Sequence, residues 1–116
     1  MTESILRTKS KVFAKDIVLL CRDLKKKSIE GPIINQLLRS GTSIGANLHE
    51  AQFAHGTKDF ILKLEIALKE CNECEYWMEL LLTTESISDT VFSDLQQSCE
   101  ELRRMLISSL NTIKAT

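Results

Sequence analysis

The sequence predicts an all-α protein, an antiparallel up-down-up-down four-helix bundle. Three observations predict it. The 116 residues include one Pro and four Gly, so little interrupts a helix. No stretch shows the Val/Ile/Thr alternation of a half-buried strand. Apolar residues recur instead at steps of three and four through four long segments, separated by three short turn signals. Helices of that length joined by short turns return antiparallel. Two long hairpins exchanged between chains would leave the same pattern. A chain of this size makes one domain with one modest core.

The first helix is expected over about residues 4–27, with its seam at Leu6, Phe13, Ile17, Leu20 and Leu24. Lys25, Lys26 and Lys27 suit its C-terminus, where cations meet the negative end of the helix dipole. Gly31-Pro32 then punctuates, and Pro32 fits the first turn of a second helix over about 32–54. That helix has its seam at Ile34, Leu37, Gly41, Ile44, Leu48 and Ala51. Gly41 and Gly45 each cost up to ~1 kcal/mol relative to Ala, a cost that close approach to a neighbouring helix offsets. Gly56 reads as a left-handed cap closing the helix.

Thr57 reads as the N-cap of a third helix over about 58–84. Its seam, Phe60, Leu64, Ala67, Cys71, Cys74, Met78 and Leu81, is the most regular heptad in the chain. Asp59–Lys63 and Glu65–Lys69 are i,i+4 pairs in the favourable orientation. Ser88, with Asp89, is expected to cap a fourth helix over about 89–113, with its seam at Phe92, Leu95, Cys99, Leu102, Leu106 and Ile113.

The seams leave apolar residues over. Ile5, Val12 and Leu19 repeat every seven residues away from the first seam, and Leu62, Ile66, Tyr76, Trp77 and Leu80 lie opposite or oblique to the third. A helix apolar nearly all round needs a second burial partner. Residues 1–30 carry a net +4 and residues 57–85 a net −4. The first and third helices are diagonal in an up-down bundle, so their outer faces point in opposite directions. Such a protomer suits a head-to-tail contact, which closes a ring. A homo-oligomer with Ile5, Val12, Leu19, Leu62, Ile66, Tyr76, Trp77 and Leu80 at its interface is the expectation. Ordinary solvated faces are the plainer reading.

The net charge of −1 gives no global field for nucleic acid or an anionic membrane. The N-terminus lacks a signal-peptide pattern, and no uncharged run is long enough to span a bilayer. A cytoplasmic protein without a membrane partner is expected. Cys21, Cys71, Cys74 and Cys99 sit inside helical patterns, not in a secreted disulfide framework. Cys71-Asn-Glu-Cys74 puts two thiols on one helix face, so a metal site is geometrically conceivable. Small core residues fit the seams better. His49, Glu50 and His55 have neither zinc nor di-iron spacing. Phosphate-binding, dinucleotide-binding and nucleophile-elbow motifs are absent. No catalytic residue, cofactor, metal or small-molecule substrate is expected.

Two constellations remain. Arg39, Ser43, Asn47 and Glu50 share one side of the second helix. Arg39 is in reach of Glu50 or of Glu70, Glu73 or Glu75 on the third, and Glu75 falls in the core arc, where a carboxylate needs a partner. A structural polar network is favoured over a ligand site. Arg7, Lys11, Lys15, Arg22, Lys25 and Lys26 form a basic stripe that suits a phosphate backbone as well as it suits water. No aromatic residue interleaves it, so base stacking is not suggested.

QLLRSGTSIGANLHEAQ, followed by KDFILKLEIALKECNECEYWMELL, resembles the bacterial four-helix-bundle family of 23S-rRNA intervening-sequence proteins. The likeness is dense over residues 34–82. It is carried by Arg39-Ser40, Ser43-Ile44, Asn47, Glu50, Lys58, Phe60, Leu64, Ala67-Leu68, Glu70, Glu75 and Trp77. The resemblance implies a cytoplasmic bundle, commonly a ring-shaped pentamer, of undefined biochemical role. A related branch, the accessory variability proteins of diversity-generating retroelements, forms basic rings that bind nucleic acid. This chain departs from that branch at net −1. The expected function is an oligomeric binding or scaffold protein, with RNA or DNA as first candidate partner. A protein-interaction adaptor with no nucleic-acid role is the alternative.

Overall fold

The ends of each helix are set by local chemistry. The computed structural model describes residues 2–115, and its four helices are α1 (Thr2–Lys26), α2 (Gly31–Ala51), α3 (Thr57–Thr83) and α4 (Asp89–Ala115). α1 closes on Ser28 with φ 60°, and α3 closes on Glu85 with φ 58°. At each end the next two amides turn back onto the last helical turn. Ser28 N–H donates to Lys25 O and Ile29 N–H to Leu24 O, at 3.2 and 3.3 Å. Glu85 N–H donates to Leu82 O and Ser86 N–H to Leu81 O, at 3.0 and 2.8 Å. These are paired Schellman closures, built here on non-glycine residues. Ile29, just past the first, packs against the core. Pro32 falls in the first turn of α2, and the Val91 amide donates to Ser88 Oγ at 3.1 Å, so Ser88 caps α4.

The turn between α2 and α3 corrects the expectation. α2 stops at Ala51, three residues early, because Phe53 and Ala54 donate to the i−3 carbonyls of Glu50 and Ala51 and tighten the chain. Gly56 does not close α2. With φ 100° and ψ −179° it is the N-cap of α3, and its carbonyl accepts the Phe60 amide. Thr57 is the first helical residue and makes no capping bond. Asp59 instead accepts the His55 amide at 3.0 Å. α4 extends to Ala115, two residues past its expected end.

The helices pack in the cyclic order α1–α2–α3–α4, and among the described residues the diagonal pairs α1/α3 and α2/α4 make no close backbone approach. This is the antiparallel up-down-up-down bundle, 47 × 22 × 19 Å. The core runs its length on Leu6, Phe13, Ile17, Leu24, Ile34, Leu37, Ile44, Leu64, Met78, Leu81, Leu102 and Leu106, with all four cysteines buried among them. Leu20, Phe60, Phe92 and Ile113 flank this core half-buried, while Ser10 and Leu110 are buried outside the expected seams. Ser10 turns its hydroxyl onto Arg7 O at 3.0 Å, which lets a polar side chain sit in the core.

The two glycines of α2 differ. A Cβ on Gly41 would lie 2.8 Å from Ile17 Cγ2, so α1 and α2 touch here only because the side chain is missing. A Cβ on Gly45 would meet Ser10 O at 3.4 Å, an ordinary contact. No helix among the described residues is long and apolar enough to cross a membrane.

Candidate functional site

Arg39 makes the main polar clasp between α2 and α3. Its Nη1 donates to Glu70 Oε2 at 2.9 Å, its Nη2 to Glu73 Oε2, and its Nε to Gln36 Oε1 at 3.3 Å. Glu73 Oε2 also accepts the Trp77 indole N–H at 3.2 Å. Arg39, and after it Trp77, hold the Glu73 carboxyl below the usual carboxylate range, and Glu73 in turn raises the Arg39 guanidinium. Glu70 is the buried acid of the cluster at 8% exposure, and its Oε1 has no hydrogen-bond partner. Desolvating that carboxylate is tolerable only because Arg39 faces its other oxygen.

The expected strip does not form one network. Ser43 donates to Arg39 O at 2.6 Å and Asn47 to Ser43 O at 2.8 Å, both closing onto their own helix. Glu50 accepts from Lys63 at 2.9 Å, and Lys114 donates to Glu65 at 2.8 Å. The expected Asp59–Lys63 and Glu65–Lys69 pairs therefore do not form. An i,i+4 pair in water contributes only ~0.2–0.5 kcal/mol, and a cross-helix partner in a groove displaces it. Glu75 belongs to a second cluster on the other side of α3. Arg103 Nη1 and Nη2 grip its two oxygens at 3.0 and 2.8 Å, while Arg103 also donates to Asn72 at 2.8 Å and Glu100 at 3.1 Å. That fork holds Glu75 below the carboxylate range and raises Arg103. Sequence reasoning missed Arg103. Adjacent Arg103 and Arg104 are indistinguishable until the register of α4 on α3 is known.

The apolar surplus divides. Ile5, Val12, Leu19, Leu62 and Tyr76 are exposed, whereas Ile66, Trp77 and Leu80 are half-buried. Tyr76 meets Trp77 edge to face, with ring centroids 4.9 Å apart. Val12 lines the groove toward α4 beside the Lys9–Glu101 ion pair, and Ile5 and Leu19 follow at seven-residue spacing.

The head of the basic stripe lies on the opposite edge of α1. Arg7 and Lys11 line a groove of about 380 Å³ toward α2, with Thr42, Gly45, Ala46 and His49 across from them. Arg7, Lys11, Lys15, Arg22, Lys25 and Lys26 form no ion pair with any described residue, whereas Lys9 pairs with Glu101 and Lys27 with Asp23. Arg7 and Lys11 thus lie apart from the apolar stripe of α1, whereas Lys15, Arg22 and Lys26 adjoin it at three-, four- or seven-residue spacing from Val12 and Leu19. The structure also supplies the aromatic rings absent from the stripe in sequence. They come from α2 and its exit turn, where exposed Phe53 packs edge to face on exposed His49.

The cysteines gather in the core as free thiols. Cys99 Sγ donates to Cys71 O at 3.5 Å and Cys21 Sγ to Ile34 O at 3.8 Å. Cys71, hydrogen-bonded to Cys99 and buried, and Cys74, desolvated by burial, are pushed well above the ordinary thiol range. Among the described residues no three His, Cys, Asp or Glu side chains gather closely enough to hold a metal ion.

Residues 2–108 match the family described as 23S rRNA-intervening sequence protein. The chain is also similar to a solved structure from Bacteroides thetaiotaomicron, described as a protein with unknown function from the S23 ribosomal protein family. The two are 44% identical over 96% of this chain and 99% of that one, with a TM-score of 0.93. No curated protein matches. With the family pattern running through nearly all of the four helices, the chain belongs to the 23S rRNA-intervening sequence proteins.

Proposed function

We propose that this protein is a non-enzymatic, cytoplasmic scaffold that assembles with copies of itself and holds nucleic acid, structured RNA first, along the basic edge of α1. The observation that supports the reading is the row Arg7, Lys11, Lys15, Arg22, Lys25 and Lys26, which forms no ion pair with any described residue. From Arg7 to Lys26 the row extends about 28 Å along the helix. Such a row repels itself in the free protein and releases condensed counterions when it meets a polyanion. The exposed apolar stripes of α1 and α3 support self-association, with a pentameric ring as the expected form. Arg7 and Lys11 face the α2 groove, off the α1 stripe, so burying that stripe against a neighbour leaves these two cations in water. A ring would sum their fields and outweigh the net charge of −1.

Filter binding of structured RNA and duplex DNA across a salt series tests the first part. Binding that weakens steeply with salt is expected, and no binding at low ionic strength removes the nucleic-acid role. Native mass spectrometry tests the second, and monomer alone at micromolar concentration removes the assembly. A protein-interaction adaptor is the second reading, favoured by the net −4 of residues 57–85. It predicts an oligomer that co-purifies with protein and not with nucleic acid.

A further inference from the structure

The groove between α1 and α2 carries a chemistry that α1 alone does not. Ala14, Gly45, Ala46 and Thr42 give it small walls, Arg7 and Lys11 stand on one side, His49 stands on the other, and no carboxylate lines it. Its volume of about 380 Å³ lies in the range that small ligands occupy, yet it is a cleft open to solvent along the helices. One turn beyond His49 stands Phe53, with ring centroids 5.7 Å apart and planes at 62°. Phe53 is 67% exposed, more than any other large apolar side chain among the described residues. The tight turn that ends α2 early holds its backbone, through the Phe53 amide donating to Glu50 O at 3.0 Å. This ring belongs to neither apolar stripe, because it lies on the exit of α2 and not on α1 or α3.

Cations in a groove free of acids complement phosphates. An exposed ring packed on His49, at the end of that groove, complements the open face of a base. In a duplex both faces of each base are already stacked, so only an unpaired base can use the ring. We propose that this groove takes an unpaired stretch of nucleic acid, with phosphates against Arg7 and Lys11 and one base stacked on Phe53. The assignment rests on the nucleic-acid reading above and adds a preference to it: loops or single strands over continuous helix.

The test is fluorescence anisotropy of a labelled oligouridine and of a duplex of equal length, titrated with the full-length protein across a salt series. Oligouridine binds more tightly than the duplex. Phe53→Ala weakens oligouridine binding about tenfold and leaves its salt slope and the duplex affinity unchanged, whereas Phe53→Tyr retains binding. Arg7→Ala combined with Lys11→Ala lowers the single-strand salt slope by about 1.4, two phosphate contacts' worth. Should the wild type bind oligouridine and Phe53→Ala bind it equally well, the stacking site is wrong while the basic edge stands. Should neither nucleic acid bind at low salt, both readings fall.

Discussion

Trp77 Nε1 donates to Glu73 Oε2 at 3.2 Å, and that same oxygen accepts from Arg39 Nη2. The indole on the outer side of α3 is thereby tied to α2 through one carboxylate. The proposed interface and the clasp, separate in the sequence reading, meet at this carboxylate. Arg39→Ala leaves Glu70 buried beside nothing and releases Glu73. Arg39 is itself partly solvated, so the cost is about 1–3 kcal/mol, well short of the figure for a fully buried pair. A fall of roughly 4–12 °C in melting temperature by circular dichroism is the expected outcome. An unchanged melting temperature together with lost ligand binding would make the Arg39 cluster a binding site instead.

Trp77→Ala is expected to break the proposed oligomer, but it also removes a half-buried side chain and its bond to Glu73. Tyr76 is the cleaner probe, since 57% of it is exposed and its hydroxyl makes no bond within the described residues. Tyr76→Asp should shift the mass in native spectrometry from oligomer to monomer with little change in the circular dichroism spectrum. Persistence of the oligomer would exclude the outer face of α3 as the contact.

Glu75 carries a pH dependence. Arg103 lowers its folded pKa below the unfolded value of about 4.3. The stabilisation is therefore complete above that unfolded value and is lost as pH falls through the folded one. Urea midpoints should be flat near neutrality and drop on acidification below about pH 4.5. Glu75→Gln should be less stable at neutral pH and show a shallower acid limb. Equal acid limbs for wild type and variant would mean that the Arg103 fork contributes nothing.

Most of the architecture was legible in the sequence because it depends on periodicity alone. The heptad from Leu64 to Leu81 places one face inward whatever its neighbours are, and all of its residues are buried, with Glu70 beside them. Helix ends were legible where a side chain makes the cap, as at Ser88. At Ser28 and Glu85 the ends fall within a residue of the expected positions, but the left-handed closures were not legible, because no glycine announces them. The partners of Arg39, Glu50 and Glu75 were out of reach for a different reason. Several acids lie one turn apart on α3, and only the axial register between helices chooses among them. Phe53 was missed because it follows a helix end that the sequence places three residues too late.

Those two left-handed closures make a prediction of their own. Ser28 and Glu85 bear a Cβ penalty at φ 60° and 58° that glycine would not. Ser28→Gly and Glu85→Gly should each raise stability by about 0.5–1 kcal/mol, partly offset by the freer unfolded chain. Chemical denaturation reads both, and a loss of stability at either site would contradict the closure described.

Gly41 and Gly45 should respond oppositely to the same change. Gly41→Ala drives a methyl into Ile17 and is expected to cost about 1–3 kcal/mol. Ile17→Ala, which removes both crowding γ carbons, should couple to it by 0.5 kcal/mol or more in a double-mutant cycle, to about 3 at most. Gly45→Ala has room and should gain up to ~1 kcal/mol of helix propensity. Equal effects at the two sites would refute the difference in approach between α1 and α2.

The buried thiols also act as internal clocks. Cys21 lies on α1, Cys71 and Cys74 on α3, and Cys99 on α4, all shielded from reagents in the folded chain. Each can be alkylated only while its own helix or one packed over it swings out, so the labelling rate under native conditions times that opening. Mass mapping of the labelled positions would then give a breathing order for the bundle without any introduced probe. It would show whether α1 detaches ahead of the α3–α4 hairpin or the whole bundle opens at once.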